Sequence, residues 1–381
     1  MSASTDVAVI GAGVIGLACA WRLRQRGLSV TVVDPAPGRG ASWTAAGMLA
    51  PVTELHYGEE ALLQLNIAAA QHYPAFVAEL EAATGTDVGY RRCGTVQVAW
   101  DAADLRSLTD LAALHARLGL ASEVIGPREL RQREPALAGG LPGALAVEGD
   151  HQVDNRALHA ALLAAATAAG VVLLAEPVSA LLRTGDAVGG VITAAGTPVP
   201  AAAVVLAAGA HSRQLAGVPD DALPPVRPVK GQTIRLRTAG EPLLHGVVRG
   251  LVKGSPVYLV PRENGEVVVG ASSEEVGFDV RPRGGAVYDL LRDAFALLPP
   301  LSEAEWVEVS TGLRPGSPDN APLVGATSVP GLVVATGHYR NGMLLAGVTA
   351  DAVTALVTAA PVDPLFAGFG PMRFQPSEAG R

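Results

Sequence analysis

The sequence predicts an α/β fold interrupted by a second unit of α+β type that contains an antiparallel sheet. Three observations carry this. The chain opens with a strand, a Gly-rich turn, a helix and a second strand in immediate succession. Apolar strand-like runs return near residues 171, 204 and 332. From about residue 226 the pattern changes to short β-like runs separated by turn signals, which suits antiparallel pairing.

The elements follow in order. Residues 7–10 read as a strand and 14–26 as a helix that Gly27 stops; 30–33 make a second strand ending at Asp34. Residues 60–85 are helical, with Leu62, Leu65, Ala69, Phe76, Val77 and Leu80 at helical spacing. Residues 88–100 alternate like a strand, and 103–118 and 127–134 read as helices. An Ala-rich helix over 155–169 precedes a strand at 171–174 and a buried strand at 204–207. Residues 232–237, 257–261 and 267–270 are β-like, with Glu263-Asn264-Gly265 as a turn between the last two. A helix at 285–298, a strand at 332–335 and a helix at 342–358 complete the pattern before a tail rich in Pro and Gly.

Composition excludes several classes. Of 381 residues, 49% are hydrophobic and 17% charged, so the chain has ample apolar surface to bury and disorder is not expected. Aromatics are only 4%, which leaves Ala, Val and Leu to build the core. A net charge of -8 lacks the basic stripe of a nucleic-acid binder. Mean hydropathy is +0.31, but the most apolar stretch, residues 160–175, is shorter than the ~20 residues a spanning helix needs. No membrane association is expected. Cys19 and Cys93 have neither disulfide-framework nor metal-site spacing, and no metal is expected. The first residues show no basic region ahead of an apolar stretch, so a cytoplasmic protein is expected.

The first chemical motif is Gly11-Ala12-Gly13-Val14-Ile15-Gly16. It stands between a strand and a helix, and Asp34 follows 18 positions past Gly16. Gly11 permits the tight turn, Gly13 lets the backbone approach a pyrophosphate, and Gly16 allows close helix–strand packing. The helix N-terminus supplies free N–H groups for the phosphates, and Asp34 would accept from the adenosine ribose. Asp34 does not separate FAD from NAD, because both carry that ribose. The interrupted layout suits a long flavin cofactor that reaches a second domain. The expected division is an FAD-binding domain from residues 1–85, 150–222 and 310–365, a substrate-binding domain from 86–149 and 223–309, and a tail from 366–381.

Four further segments join the motif: residues 40–51 (GASWTAAGMLAP); 258–262 (YLVPR) with 269–274 (VGASSE); 311–315 (TGLRP) with 319–322 (DNAP); and 337–345 (GHYRNGMLL). Together, from about residue 5 to Arg373-Phe374, they resemble the D-amino acid oxidase family of flavoenzymes, and within it the glycine-oxidising branch that serves thiamine biosynthesis. The resemblance implies a Rossmann-like FAD-binding domain of the family's type. It places Val14, Ile15, Asp34, Ala41, Ser42, Ala46, Gly47 and Met48 at FAD-contacting positions. Val178, on the strand after the Ala-rich helix, matches a position whose backbone meets the adenine. His338, Tyr339, Arg340, Asn341, Gly342, Met343 and Leu344 match the loop at the pyrimidine end of the flavin. Arg314 matches the arginine that binds the substrate carboxylate, Tyr258 a tyrosine near it, and Arg340 a second substrate-side arginine.

The residue types agree with these roles. A planar guanidinium holds a carboxylate by two parallel charge-assisted hydrogen bonds, which fixes the reacting carbon. A helix that begins at Asn341-Gly342 would aim its positive end at charge developing on the flavin. Hydride transfer from a neutral amine needs no strong base, so His338 is expected to shape the loop. Neither cysteine matches the attachment position of related sarcosine oxidases, so FAD is expected to be non-covalent. His245 and Met48 are candidates for the pocket border. The expected reaction takes glycine, sarcosine or small D-amino acids and dioxygen to imine and hydrogen peroxide. The family pattern also implies a homotetramer and a thiazole synthase as a partner. Rivals are a D-amino acid or sarcosine oxidase, a quinone-linked dehydrogenase, and a flavin-binding module without turnover.

Overall fold

A computed structural model describes residues 4–375. Its first sheet runs in the order Leu323–Ala326, Leu332–Thr336, Pro198–Leu206, Thr5–Ile10, Val30–Val33, Val172–Leu174. The last five strands are parallel, and Leu323–Ala326 closes one edge antiparallel. A parallel sheet must be covered on both faces. Helices Val14–Gln25, Glu60–Thr84, Asn155–Ala168 and Gly342–Val357 cover one face; Leu17, Phe76, Leu162 and Leu345 share a core there with Val9 of the sheet. A hairpin, Val178–Thr184 with Ala187–Thr193, extends from the start of Pro198–Leu206 and closes a second core that includes Leu181, Val191 and Val204.

The helices lie where periodicity puts them. Glu60–Thr84 ends at Gly85, whose φ of 67° is the left-handed C-terminal stop that glycine supplies. Asp154 starts the Ala-rich helix by accepting from the N–H groups of Arg156 and Ala157. The stretch over 88–100 differs from expectation. Only Thr95–Ala99 forms a strand, because Gly89 and Gly94 turn the chain at φ values of 66° and 71°.

The second sheet runs Glu305–Gly316, Arg227–Arg237, Glu266–Gly270, Ser255–Pro261, Val247–Val252, Thr95–Ala99, Gly143–Val147, Glu123–Ile125. All neighbours are antiparallel except Val247–Val252 with Thr95–Ala99. Helix Gly284–Leu297 packs Leu290, Ala294 and Leu297 onto one face. Strand Glu305–Gly316 pairs with Arg227–Arg237 along its length and so carries the second sheet across residue 310. The α/β chain with an inserted antiparallel sheet is the class read from the sequence.

A buried polar seam joins the sheets. Arg235, 1% exposed, pairs with Glu266 and donates to Asn155 Oδ1 at 3.0 Å. Arg262 donates to the Ala46 carbonyl at 2.7 Å and to Gln152. Each buried charge keeps partners, without which its desolvation would be severe. At the far side of the second sheet's long strand, Lys230 is wholly buried and pairs with Glu274 at 2.9 Å.

Candidate active site

A cavity of about 1090 Å³ lies between the C-terminal edge of the parallel sheet and the open face of the second sheet. Gly11, Gly13, Val14, Ile15 and Asp34 line its first end. Gly11 has φ +104°, and a Cβ there would stand 2.5 Å from the Ala207 carbonyl oxygen. Gly16 does not line the cavity. A Cβ on it would fall 1.9 Å from the Gly11 carbonyl oxygen, so Gly16 is what lets helix Val14–Gln25 seat against the turn. Asp34 accepts from the Ala12 N–H through Oδ2 and from the Ala36 N–H through Oδ1, both at 2.7 Å. One acceptor position on each oxygen is thereby used and others remain. Ser42 Oγ accepts from the Val14 N–H at 3.0 Å and ties residues 41–48 to the helix N-terminus.

Ala41, Ser42, Ala46, Gly47 and Met48 line the middle of the cavity, and Val178 lines it beside Pro177. Val178 opens the second strand after the Ala-rich helix; Val172–Leu174 is the first. At the other end stand His338, Tyr339, Arg340, Asn341, Gly342 and Met343. Leu344 departs from expectation. Its position on the first turn of Gly342–Val357 points it into the helical core, where it is 2% exposed. His245 also departs: it is exposed, with Nδ1 2.7 Å from the Arg133 carbonyl oxygen, outside the cavity.

The helix Gly342–Val357 starts where the sequence placed it, with no acidic residue in its first turn. Asn341 Nδ2 beside that terminus is buried and, among the described residues, without a hydrogen-bond partner. His338 is buried, with Nε2 3.0 Å from Thr349 Oγ1. Burial pushes its pKa down to about 3, so the ring is neutral in the working range. A histidine held neutral in the fold takes up its proton only on unfolding, between about pH 6.5 and 3, so stability falls as pH drops through that window. From pH 7 to pH 5 the loss from this residue is about 2 kcal/mol. Asp150, pushed up to about 6 by burial, has the opposite slope over the same range. The expected result is therefore read as a difference: His338→Gln loses less stability than the parent chain between pH 7 and 5 in urea unfolding. Equal losses would refute the buried neutral ring.

The second sheet supplies the floor. Gln97, Arg249, Tyr258, Gly270, Thr233 and Ser310 are successive cross-strand partners and share one face. Two side chains lie over glycines. A Cβ at Gly231 would meet the Arg314 guanidinium at 2.5 Å, and one at Gly270 would meet the Tyr258 ring at 2.4 Å. Arg314 donates to the Ser272 carbonyl at 3.1 Å and, among the described residues, has no carboxylate partner. Burial raises the pKa of the Tyr258 hydroxyl, with Arg314 pulling the other way, so the group stays a protonated donor. Arg340 is in a different state. Its Nε lies 2.8 Å from Glu54 Oε2, and its Nη2 donates to Glu59 and to the Glu54 carbonyl. Arg249 also pairs with Glu54. Of the two arginines expected on the substrate side, only Arg314 is open to an incoming carboxylate. Glu54, Arg249 and Gln97 carried no signal in the sequence.

Residues 6–356 match a family described as FAD dependent oxidoreductase, DAO. The chain belongs to this family. It is 35% identical to the glycine oxidase of Geobacillus kaustophilus over 92% of this chain and 92% of that protein. It is 35% identical to the bifunctional protein ThiO/ThiG of Synechocystis sp. over 98% of this chain but only 55% of that protein, so it spans about half the length of such fused relatives. The crystal structure of the Geobacillus kaustophilus glycine oxidase superposes with a TM-score of 0.89 at 34% identity, covering 97% of this chain and 99% of the other.

The cavity of this FAD dependent oxidoreductase fits the dinucleotide its family uses. The cradle at Gly11 is one that any Cβ would fill, and the orphaned Asn341 amide stands with a helix N-terminus at the opposite end. Asp34 would hold the ribose, the Gly11–Gly13 turn and helix Val14–Gln25 the pyrophosphate, and Asn341 with Gly342 the flavin carbonyl side. Cys19 is buried in the helical core and Cys93 lies outside the cavity wall.

Proposed function

We propose that the chain oxidises glycine, together with sarcosine and small D-amino acids, to the corresponding imine with dioxygen as acceptor. The observation that carries this is Arg314, a guanidinium without a carboxylate partner, held beside a protonated Tyr258 in the FAD cavity. Arg314 grips the substrate carboxylate through two parallel bonds, and the Tyr258 hydroxyl donates a third. This fixes the α-carbon. FAD, held by Asp34, the Gly11–Gly13 turn and Asn341, would supply the acceptor for the hydride that leaves that carbon, and the two electrons together with the proton from the substrate nitrogen would reduce dioxygen to hydrogen peroxide. The substrate nitrogen releases its proton as the C=N bond forms, and water converts the free imine to glyoxylate and ammonia. No side chain need act as base, since the hydride leaves the carbon of a neutral amine, and burial makes the one histidine buried in the cavity, His338, a weak base held by Thr349.

In this reading residues 1–85, 150–222 and 310–365 serve the cofactor, and 86–149 and 223–309 the substrate, with strand Glu305–Gly316 carrying Arg314 between them. The similarity to a ThiO/ThiG protein supports glycine imine for thiazole assembly as the product's use, with a thiazole synthase as receiver. Among the described residues no helix is long and apolar enough to cross a membrane. A cytoplasmic homotetramer is the arrangement we expect.

Glycine added anaerobically to the yellow protein is expected to bleach the flavin bands, with peroxide on admission of air. No bleaching with glycine, but bleaching with D-Ala or D-Pro, would replace glycine oxidase by D-amino acid oxidase. Gly231→Ala is expected to leave the fold and FAD intact, since the atoms it displaces are the flexible end of Arg314. It should raise KM for glycine about tenfold or more by moving the clamp. An unchanged KM would dissociate Arg314 from the carboxylate.

A further inference from the structure

The cavity continues past Tyr258 on the side away from Arg314. Arg249 stands directly opposite Tyr258 on the neighbouring strand, and Gln97 directly beside Arg249 on the next. Their Cβ atoms share a face at about 5 Å intervals. All three line the cavity. Tyr258 therefore has a guanidinium on each side, and both act on its hydroxyl.

Arg249 is only partly engaged. One of its terminal nitrogens meets Glu54 and Thr53 Oγ1, and among the described residues its remaining nitrogens have no partner. Among the described residues the Gln97 amide makes no hydrogen bond, and its Oε1 is buried. The carboxylates facing Arg249 already have other partners: Glu54 is shared between Arg249 and Arg340, Glu59 rests on Arg340, and Asp150, behind Thr53, accepts from the Val52 and Thr53 N–H groups and the Thr53 hydroxyl. Glycine has one carboxylate, which Arg314 takes. It leaves the free edge of Arg249 and the whole amide of Gln97 unpaired in a half-buried site. Polar groups left so are costly, and a substrate that satisfies them gains affinity. An amide can be turned to present its donor or its acceptor, so Gln97 can join Arg249 in donating to an anion.

We propose that Arg249 and Gln97 form a second anchor, which receives an acidic arm of the substrate while Arg314 holds the first carboxylate. The favoured class is then amino acids with a second carboxylate, carried on the nitrogen or on the α-carbon. The inference rests on Arg314 being the first clamp, as proposed above.

The test uses the holoenzyme and two ligands that cannot be oxidised as amines. Diglycolate and methoxyacetate share an ether chain and differ by one carboxylate. Titrated against the flavin absorbance, diglycolate is expected to bind about tenfold tighter or better. Arg249→Met and Gln97→Met should each remove most of that difference. Gln97→Met leaves the ion pairs intact, so it stands if Arg249→Met does not fold. Equal affinities in the parent chain, or a difference that survives both substitutions, would overturn the proposal. Turnover then places the arm. Iminodiacetate preferred over sarcosine puts it on nitrogen, D-aspartate preferred over D-alanine puts it on carbon, and no preference in either pair overturns the second anchor. Anaerobic glycine is run alongside. Bleaching by glycine with equal ligand affinities keeps the function and rejects the anchor; tight diglycolate binding without bleaching by glycine does the reverse.

Discussion

Arg314→Ala is expected to lower kcat/KM for glycine by roughly 30- to 1,000-fold while the protein remains yellow, the loss of about 2–4 kcal/mol that follows removal of one partner from a desolvated charge pair. The geometry supports so large an effect. Arg314 is spent on no other carboxylate among the described residues, and its one hydrogen bond goes to a backbone carbonyl that orients it. Without it the substrate carboxylate would lose its clamp, since Arg340 beside it is held by Glu54 and Glu59 and Arg249 stands on the far side of Tyr258. Arg314→Lys keeps the charge but not the planar fork and should fall between the two. The check is oxygen uptake against glycine concentration, with the ratio of flavin to protein absorbance measured on the same samples. A parallel loss of FAD would move Arg314 out of the substrate site.

Gly11→Ala is expected to leave no holoenzyme, with FAD affinity falling about 100-fold or more, an effect of at least ~3 kcal/mol. Two terms add. A residue with a Cβ at φ +104° leaves its allowed region. The Cβ would also stand 2.5 Å from the oxygen and 2.9 Å from the carbon of the Ala207 carbonyl. That carbonyl ends a strand paired on both sides, with Thr5–Ile10 and with Leu332–Thr336, so it cannot retreat. The turn must open instead, and the N–H groups at the start of helix Val14–Gln25 lose their aim. Gly284→Ala, where a new Cβ meets nothing within 4 Å, is the control. Flavin retained by Gly11→Ala after gel filtration would show that the turn tolerates a side chain.

Much of the scaffold was legible because its signals are local. The strand–glycine–helix start, the strand at Val30–Val33 and the helix at Gly342 each declare themselves within a few residues. The hairpin Val178–Thr184 and Ala187–Thr193 did not, because Gly189-Gly190 interrupts its apolar run and its first strand carries the exposed polar residues Ser179, Arg183 and Thr184. The extent of strand Glu305–Gly316 was hidden for another reason. Its pairing with Arg227–Arg237 is set by a partner some eighty residues earlier in the chain, beyond any local pattern. In the site, Arg314 and Tyr258 stood out through their motifs. The state of Arg340 did not, since it depends on Glu54, 286 residues away. Arg249 likewise meets Glu54 across 195 residues. An ion pair between distant segments leaves no mark on either one. Leu344 shows the same limit at short range: it sits inside a motif, and only the rotation of the helix decides that it faces the core.

The burial of Lys230 has a practical use. The chain has two lysines, and the other, Lys253, sits exposed in the turn between Val247–Val252 and Ser255–Pro261. Amine-directed acylation requires an accessible nitrogen, and Lys230, wholly buried and paired with Glu274, offers none. Of the two lysines, a succinimidyl dye or resin should therefore couple to the folded protein at Lys253 alone, a single side-chain attachment point that needs no engineered cysteine.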